Sequence, residues 1–153
     1  MIAGWTAIVF AWRRLTRQPA WRVALFLEAL SWLVVARFLL RVMTFRKLAA
    51  LLDWAFRGHF GSASTRERRT NIRWAIRTAA GFLPGKTVCF PKGIAAHIMC
   101  RLRGIPTSML YGAGIFEGGR LKAHVWIQDG PNGVVGHNLA EGYRVIAEFP
   151  ARG

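Results

Sequence analysis

Two side chains of the kind that build a thiol active site stand well apart in this chain, Cys89 and His124. A cysteine attacks a carbonyl as the thiolate. A helix start favours that anion, because unpaired N–H groups and the positive end of the helix dipole face it. The stretch Thr87-Val88-Cys89-Phe90-Pro91 reads as such a start, with Cys89 leading a helix that runs to Arg103. Pro91 falls in the first turn, where its missing N–H removes no helical hydrogen bond. His124 lies in Leu121–Gln128, which alternates as a strand does: Leu121, Ala123, Val125 and Ile127 on one face, Lys122, His124, Trp126 and Gln128 on the other. An imidazole beside a thiolate forms an ion pair with it and then protonates a leaving amine. Taken singly, Cys89 reads as a small buried hydrophobe and His124 as a half-exposed strand residue. The order of helix start, His-bearing strand and hairpin makes the pair a candidate site.

A third group would orient the imidazole. Asp129-Gly130-Pro131-Asn132-Gly133 is a strong turn, and Val134–Asn138 reads as the returning strand. A five-residue turn sets Gln128 opposite Val134 and His124 opposite Asn138, on one face and about 5 Å apart at Cβ. Asn138 is therefore the first choice. A one-residue slip substitutes His137, and Asp129 is the remaining alternative. The other titratable residues read as structural. His97 is a packed or solvated helix residue, Cys100 a buried thiol, His59 a loop residue, and Glu117 and Glu141 surface carboxylates. The spacing of Cys89, His97 and Cys100 lacks the close pairs of a structural zinc site, so neither a metal nor a cofactor is expected.

These pieces carry a family resemblance. Cys89 leading its helix, Arg101-Leu102-Arg103-Gly104-Ile105-Pro106 and Ala123-His124-Val125-Trp126-Ile127 resemble the transglutaminase-like cysteine peptidase core of lasso-peptide leader peptidases. The last segment is similar to that family's His-Ala-Trp-Val/Ile-Glu, with Gln128 in place of the Glu. The resemblance implies a Cys-His-Asp triad carried by Cys89 and His124. The family's acid follows a Gly on the strand after the hairpin, where this chain has Gly136-His137-Asn138, so the site would take the Cys-His-Asn form. It further implies removal of the leader from a ribosomally made, post-translationally modified precursor peptide. A separate cyclase then joins the freed α-amine to an acidic side chain. Some family members carry a leader-binding winged-helix domain. The first 80 residues here read as helices throughout, so a separate winged-helix protein is expected to supply that function. The rival readings are a transglutaminase-like acyltransferase, in which an amine instead of water resolves the acyl-enzyme, and a non-catalytic basic scaffold that binds a membrane or a partner.

The elements that must hold the pair follow from periodicity and punctuation. Helices are expected over residues 5–18, 20–42 (Leu25, Ala29, Trp32, Ala36 and Leu40 inward), 45–56 (Thr44 as N-cap; Leu48, Leu51, Leu52 and Phe56 inward) and 65–80 (Ile72, Ala75, Ile76 and Ala79 inward). A loop spans 58–64. On the helix led by Cys89, Ile94, Ile98 and Leu102 form a stripe, and Gly104 stops it. Ser108–Ile115 is a strand, Phe116–Gly119 a turn, and a terminal helix is expected over Leu139–Ala147. The fold class is therefore α+β: an all-helical, basic, Trp-rich region over 1–80 and a transglutaminase-like, papain-like catalytic core over 81–153.

Of the 153 residues 53% are hydrophobic, which excludes a disordered tail. The net charge is +15 and is uneven: residues 1–80 hold 14 basic and 3 acidic side chains, together with six of the seven Trp. That basic half reads as a docking surface for the winged-helix protein, the cyclase or a membrane surface, and not for nucleic acid. The apolar run Val23–Val42 is interrupted by Glu28, Arg37 and Arg41, so a buried or interfacial helix is expected in place of a span. Two non-adjacent cysteines and the absence of basic residues before the apolar start point to the cytoplasm, with peripheral membrane contact.

Overall fold

The computed structural model describes residues 17–58, 66–84 and 89–150; the helix expected over 5–18 lies almost wholly outside them. Among the described residues four helices, α1 (Ala20–Val42), α2 (Phe45–Ala55), α3 (Arg66–Phe82) and α4 (Cys89–Arg101), precede a four-stranded antiparallel sheet. Its strands are β1 (Ser108–Phe116), β2 (Arg120–Asp129), β3 (Asn132–Val135) and β4 (Arg144–Phe149), in the spatial order β3-β2-β1-β4. Short 3-10 turns occupy Glu117–Gly119 and His137–Leu139. The α+β class is as expected.

α4 is the axis of the molecule. Every residue from Gly93 to Arg101 is buried, so the helix has no solvent face. A helix apolar on all sides has to be enclosed. Here α1 and α3 pack on it from one side and β2 from the other, within one shared core. On α1, Leu25, Ala29 and Ala36 are buried as expected, Phe26 and Leu33 join them, and Trp32 and Leu40 pack partly against the core. Ile72, Ala75, Ile76 and Ala79 of α3 are all at or below 1% exposure. Phe26 meets Phe82 edge-on at 5.1 Å, joining α1 to the end of α3. Thr44 occupies the N-cap of α2 through its backbone carbonyl, which accepts from Leu48 N–H, and its side chain makes no cap bond.

The segment Arg101–Ile105 anchors the end of α4. Gly104 adopts φ 70°, Gly104 N–H donates to Arg101 O, and Ile105 N–H donates to Cys100 O. This is the Schellman arrangement that satisfies the last carbonyls of a helix. Arg103 reaches back to α1 and grips both carboxylate oxygens of Glu28, at 2.8 and 2.5 Å. The helix thus ends two residues before the expected Arg103. Leu102 points outward at 54% exposure, and so does Leu51 of α2 at 46%, where both were expected inside.

Two expectations in the last third are corrected. The terminal helix over Leu139–Ala147 does not form: Arg144–Phe149 is strand β4, paired with β1 from Ala113↔Arg144 to Met109↔Phe149. Gly142 at φ 84° interrupts the chain, and Val145-Ile146, both β-branched, suit the edge that β1 leaves open. The hairpin turn is two residues, Gly130-Pro131, and not five, with Asp129 opposite Asn132 and Gln128 opposite Gly133. A bulge then restores Ile127↔Val135, and β3 stops there. All five turn residues are turn formers, so composition could not set the length.

His97 and Cys100 are both enclosed in α4. His97 is 1% exposed, with Nδ1 3.1 Å from Thr107 Oγ1. Burial, reinforced by the Arg101 charge, lowers its pKa to about 3. The folded protein therefore excludes a proton that the unfolded chain accepts near its ordinary value of about 6.5. Stability is full above that value and falls as the pH drops from about 6.5 towards 3. Thermal melts across this window should show the loss, and His97→Gln should flatten it; a wild-type slope in the variant would contradict the assignment.

Candidate active site

Cys89 is the first residue of α4 and is half-buried. Its Sγ–H faces the carbonyl of Ala123 at 4.0 Å, the residue next to His124 on β2. The closeness has a local cause. Cys89 and Gly93 are i and i+4, so they share one face of the helix. A Cβ on Gly93 would lie 2.7 Å from Val125 Cγ1, so only glycine lets α4 approach β2 this closely. Cys89 and His124 line the same open cleft of about 840 Å³, together with Gly136, His137 and Asn138.

His124 is 6% exposed, more enclosed than its place on the polar face of β2 suggested. Its ring stacks on Trp126, with centroids 5.9 Å apart and planes 20° apart, and Tyr143 lies against it at 5.2 Å. β3 pairs with β2 only over Ile127–Asp129, so the edge of β2 near His124 is free of strand partners. Gly136 fills that space. His124 Nε2 lies 2.8 Å from Gly136 O. A carbonyl only accepts, so Nε2 carries the proton, and in the neutral ring Nδ1 is the base. Gly136 takes φ 77°, and a Cβ there would stand 2.9 Å from Val125 O and 3.2 Å from His124 Nε2. Glycine is required both by the backbone angle and by the closeness of the imidazole.

Of the groups considered for the third position, Asn138 and His137 sit in the 3-10 turn on the cleft wall. Asp129 is engaged elsewhere: Arg69 of α3 pairs with its Oδ2 at 2.8 Å, both side chains being largely buried. Arg73, one turn further along α3, donates from Nε to Val134 O at 2.7 Å and from its guanidinium to Gly133 O. Two arginines of α3 therefore fix the hairpin that delivers Gly136 to His124. Cys100 is no rival nucleophile, since burial pushes its thiol pKa up to about 12 and it is fully enclosed.

Residues 30–148 match the family model described as Transglutaminase-like superfamily. The chain belongs to the transglutaminase-like superfamily. That superfamily includes cysteine peptidases and acyltransferases, which places this protein among cysteine-enzyme folds. Neither the curated proteins nor the solved structures gave a match. The match begins within α1, so the superfamily core takes in helices as well as the sheet.

Sequence reasoning missed Gly93, Tyr143 and the role of the Gly136 carbonyl. Gly93 carried a usable signal, a glycine four residues after the cysteine inside a helix, where it lowers helix propensity by about 1 kcal/mol and so asks for a packing reason. Tyr143 carried none, because it reaches His124 only through the course of the turn before β4. Gly136→Ala should lower stability by about 1–3 kcal/mol and slow alkylation of Cys89. Gly118, at φ 81° with no neighbour closer than 3.9 Å, supplies the control. Gly118→Ala should cost stability alone, measured by urea denaturation beside iodoacetamide labelling; equal labelling rates in the two variants would separate Gly136 from the site.

Proposed function

We propose that this chain is a cysteine peptidase that removes the leader from a lasso-peptide precursor before a separate cyclase closes the macrolactam. The observation that carries the reading is the thiol of Cys89 against the Ala123 carbonyl in the cleft that His124 lines. The segments Arg101–Pro106 and Ala123–Ile127 add the resemblance that narrows the superfamily to this activity. In the proposed mechanism the Cys89 thiolate attacks the scissile carbonyl carbon while His124 holds the proton on Nδ1. The tetrahedral intermediate collapses, the C–N bond breaks, and His124 gives that proton to the leaving amine, which becomes the free N-terminus of the core peptide. Water then attacks the thioester, His124 takes its proton, and the thiolate departs. The backbone N–H of Cys89 at the helix start is the proposed oxyanion donor.

His124 needs an orienting partner throughout. We assign this to the Gly136 carbonyl, with Asn138 two residues on contributing a polar side chain to the same wall. A carbonyl dipole fixes the ring and its tautomer without adding charge. In the acyltransferase alternative an amine takes the place of water in the last step, and nothing else changes.

The outward side of α1 supports peripheral membrane contact within this reading. Leu27, Val34, Phe38 and Val42 recur along one stripe and are each at least 50% exposed, on a helix long and apolar enough to cross a bilayer. Its opposite face is committed to the core. With the chain's net charge of +15, an interfacial position on an anionic surface follows.

With precursor peptide and a leader-binding partner supplied, Cys89→Ala should abolish leader release. Unchanged cleavage would sink the peptidase reading. Asn138→Ala should retain activity within about 10-fold, because the carbonyl still holds the ring; a loss on the scale of a removed general base, about 10²–10⁴-fold, would return the orienting role to Asn138. Mass spectrometry of the released leader distinguishes hydrolysis from transfer to an added amine.

A further inference from the structure

The cleft that holds Cys89 is cationic on the described side chains. Arg73, Arg77 and Lys92 line it, and no Asp or Glu does. Arg73 is committed to the Gly133 and Val134 carbonyls. Arg77 and Lys92 make no hydrogen bond or ion pair among the described residues. Arg77 follows Arg73 by four residues, so both project from the same face of α3. Lys92 follows Cys89 by three residues, which puts their Cβ atoms about 5–6 Å apart on one face of α4. Exposed Arg77 and half-buried Lys92, with no carboxylate partner among the described residues, thus flank Cys89 from separate helices. The nearest carboxylate on the adjoining hairpin, Asp129, is already held by Arg69.

On the peptidase reading above, we propose that Arg77 and Lys92 form a substrate subsite for a carboxylate, so that the preferred peptide carries Asp or Glu close to the scissile bond. The reach of the side chains limits the distance. Lys92 extends its ammonium to within about 10 Å of the thiol, and an extended peptide advances about 3.3 Å per residue. The acidic residue therefore stands within about three positions of the bond that is cut. Opposite charge there raises encounter rate and fixes register, whereas a basic residue in the same place is repelled by both cations.

The test separates binding from turnover. Fluorescein-labelled peptides carrying Asp or Asn at each of three positions on either side of a fixed scissile bond are titrated against full-length Cys89→Ala by fluorescence anisotropy. The Asp peptides should bind about 2- to 5-fold more tightly than their Asn isosteres at low salt, and the gap should close near ~0.5 M salt. Arg77→Glu/Lys92→Glu should invert the preference towards Lys-bearing peptides, and Arg77→Gln/Lys92→Gln should erase it, with circular dichroism confirming that both remain folded. Equal or undetectable binding of both peptide sets, or a preference unchanged in the Gln variant, overturns the subsite. Wild-type enzyme with the same cleavage-site sequences placed in the precursor, and with the leader-binding partner supplied, reports the peptidase reading separately. Acidic preference without any cleavage rejects the peptidase and keeps the subsite, while cleavage without preference does the reverse.

Discussion

The closeness of α4 to β2 sets everything else. At Gly93 the helix backbone comes so near Val125 that a single added carbon would sit 2.7 Å from the valine methyl. Any larger residue separates the two elements, and a gap of even 1 Å moves Cys89 away from the strand that carries His124. Small misplacements of that size are enough to disable a positioned pair. The full burial of α4 follows from the same constraint, since a helix pressed on a sheet from one side must be held there from the other. α1 and α3 do the holding, and Arg103 with Glu28 fixes the far end of α4 against α1.

Charge then secures what apolar packing cannot aim. β3 is only four residues long, too short to fix its own orientation. Arg69 and Arg73 tie its hairpin to α3 through Asp129 and two backbone carbonyls. Because both ends of the Arg69–Asp129 pair are largely buried, losing one partner strands the other and costs more than the pair contributes. The arginine excess of the helical region thus has an architectural use, besides the surface role its composition suggested. The carbonyl of Gly136, delivered by the clamped hairpin, meets His124 where a side chain had been expected.

The helices were legible in the sequence because their apolar periodicity reports one buried face each; α1 runs over the residues the pattern indicated, and α3 and α4 differ only at their ends. The candidate cysteine and histidine were picked out by local grammar, a cysteine before a proline at a helix start and an alternating strand. β4 was not legible. Leu139–Ala147 contains no turn pair strong enough to reveal the break at Gly142, and its strand character depends on the open edge of β1, far away in the chain. The hairpin register failed for a similar reason: five consecutive turn formers admit several turn lengths, and contact with α3 selects one. Leu51 and Leu102 fit a helical stripe by spacing but lie about half exposed.

The central claim is that Cys89 and His124 form one thiolate–imidazolium unit. Its most direct test is the rate of Cys89 alkylation by iodoacetamide at neutral pH in the wild type and in His124→Gln, with Cys100 silent because burial keeps its thiol protonated. The account predicts alkylation about 10-fold or more slower in the variant, because the thiolate loses its imidazolium partner. Equal rates in the wild type and the variant would contradict it.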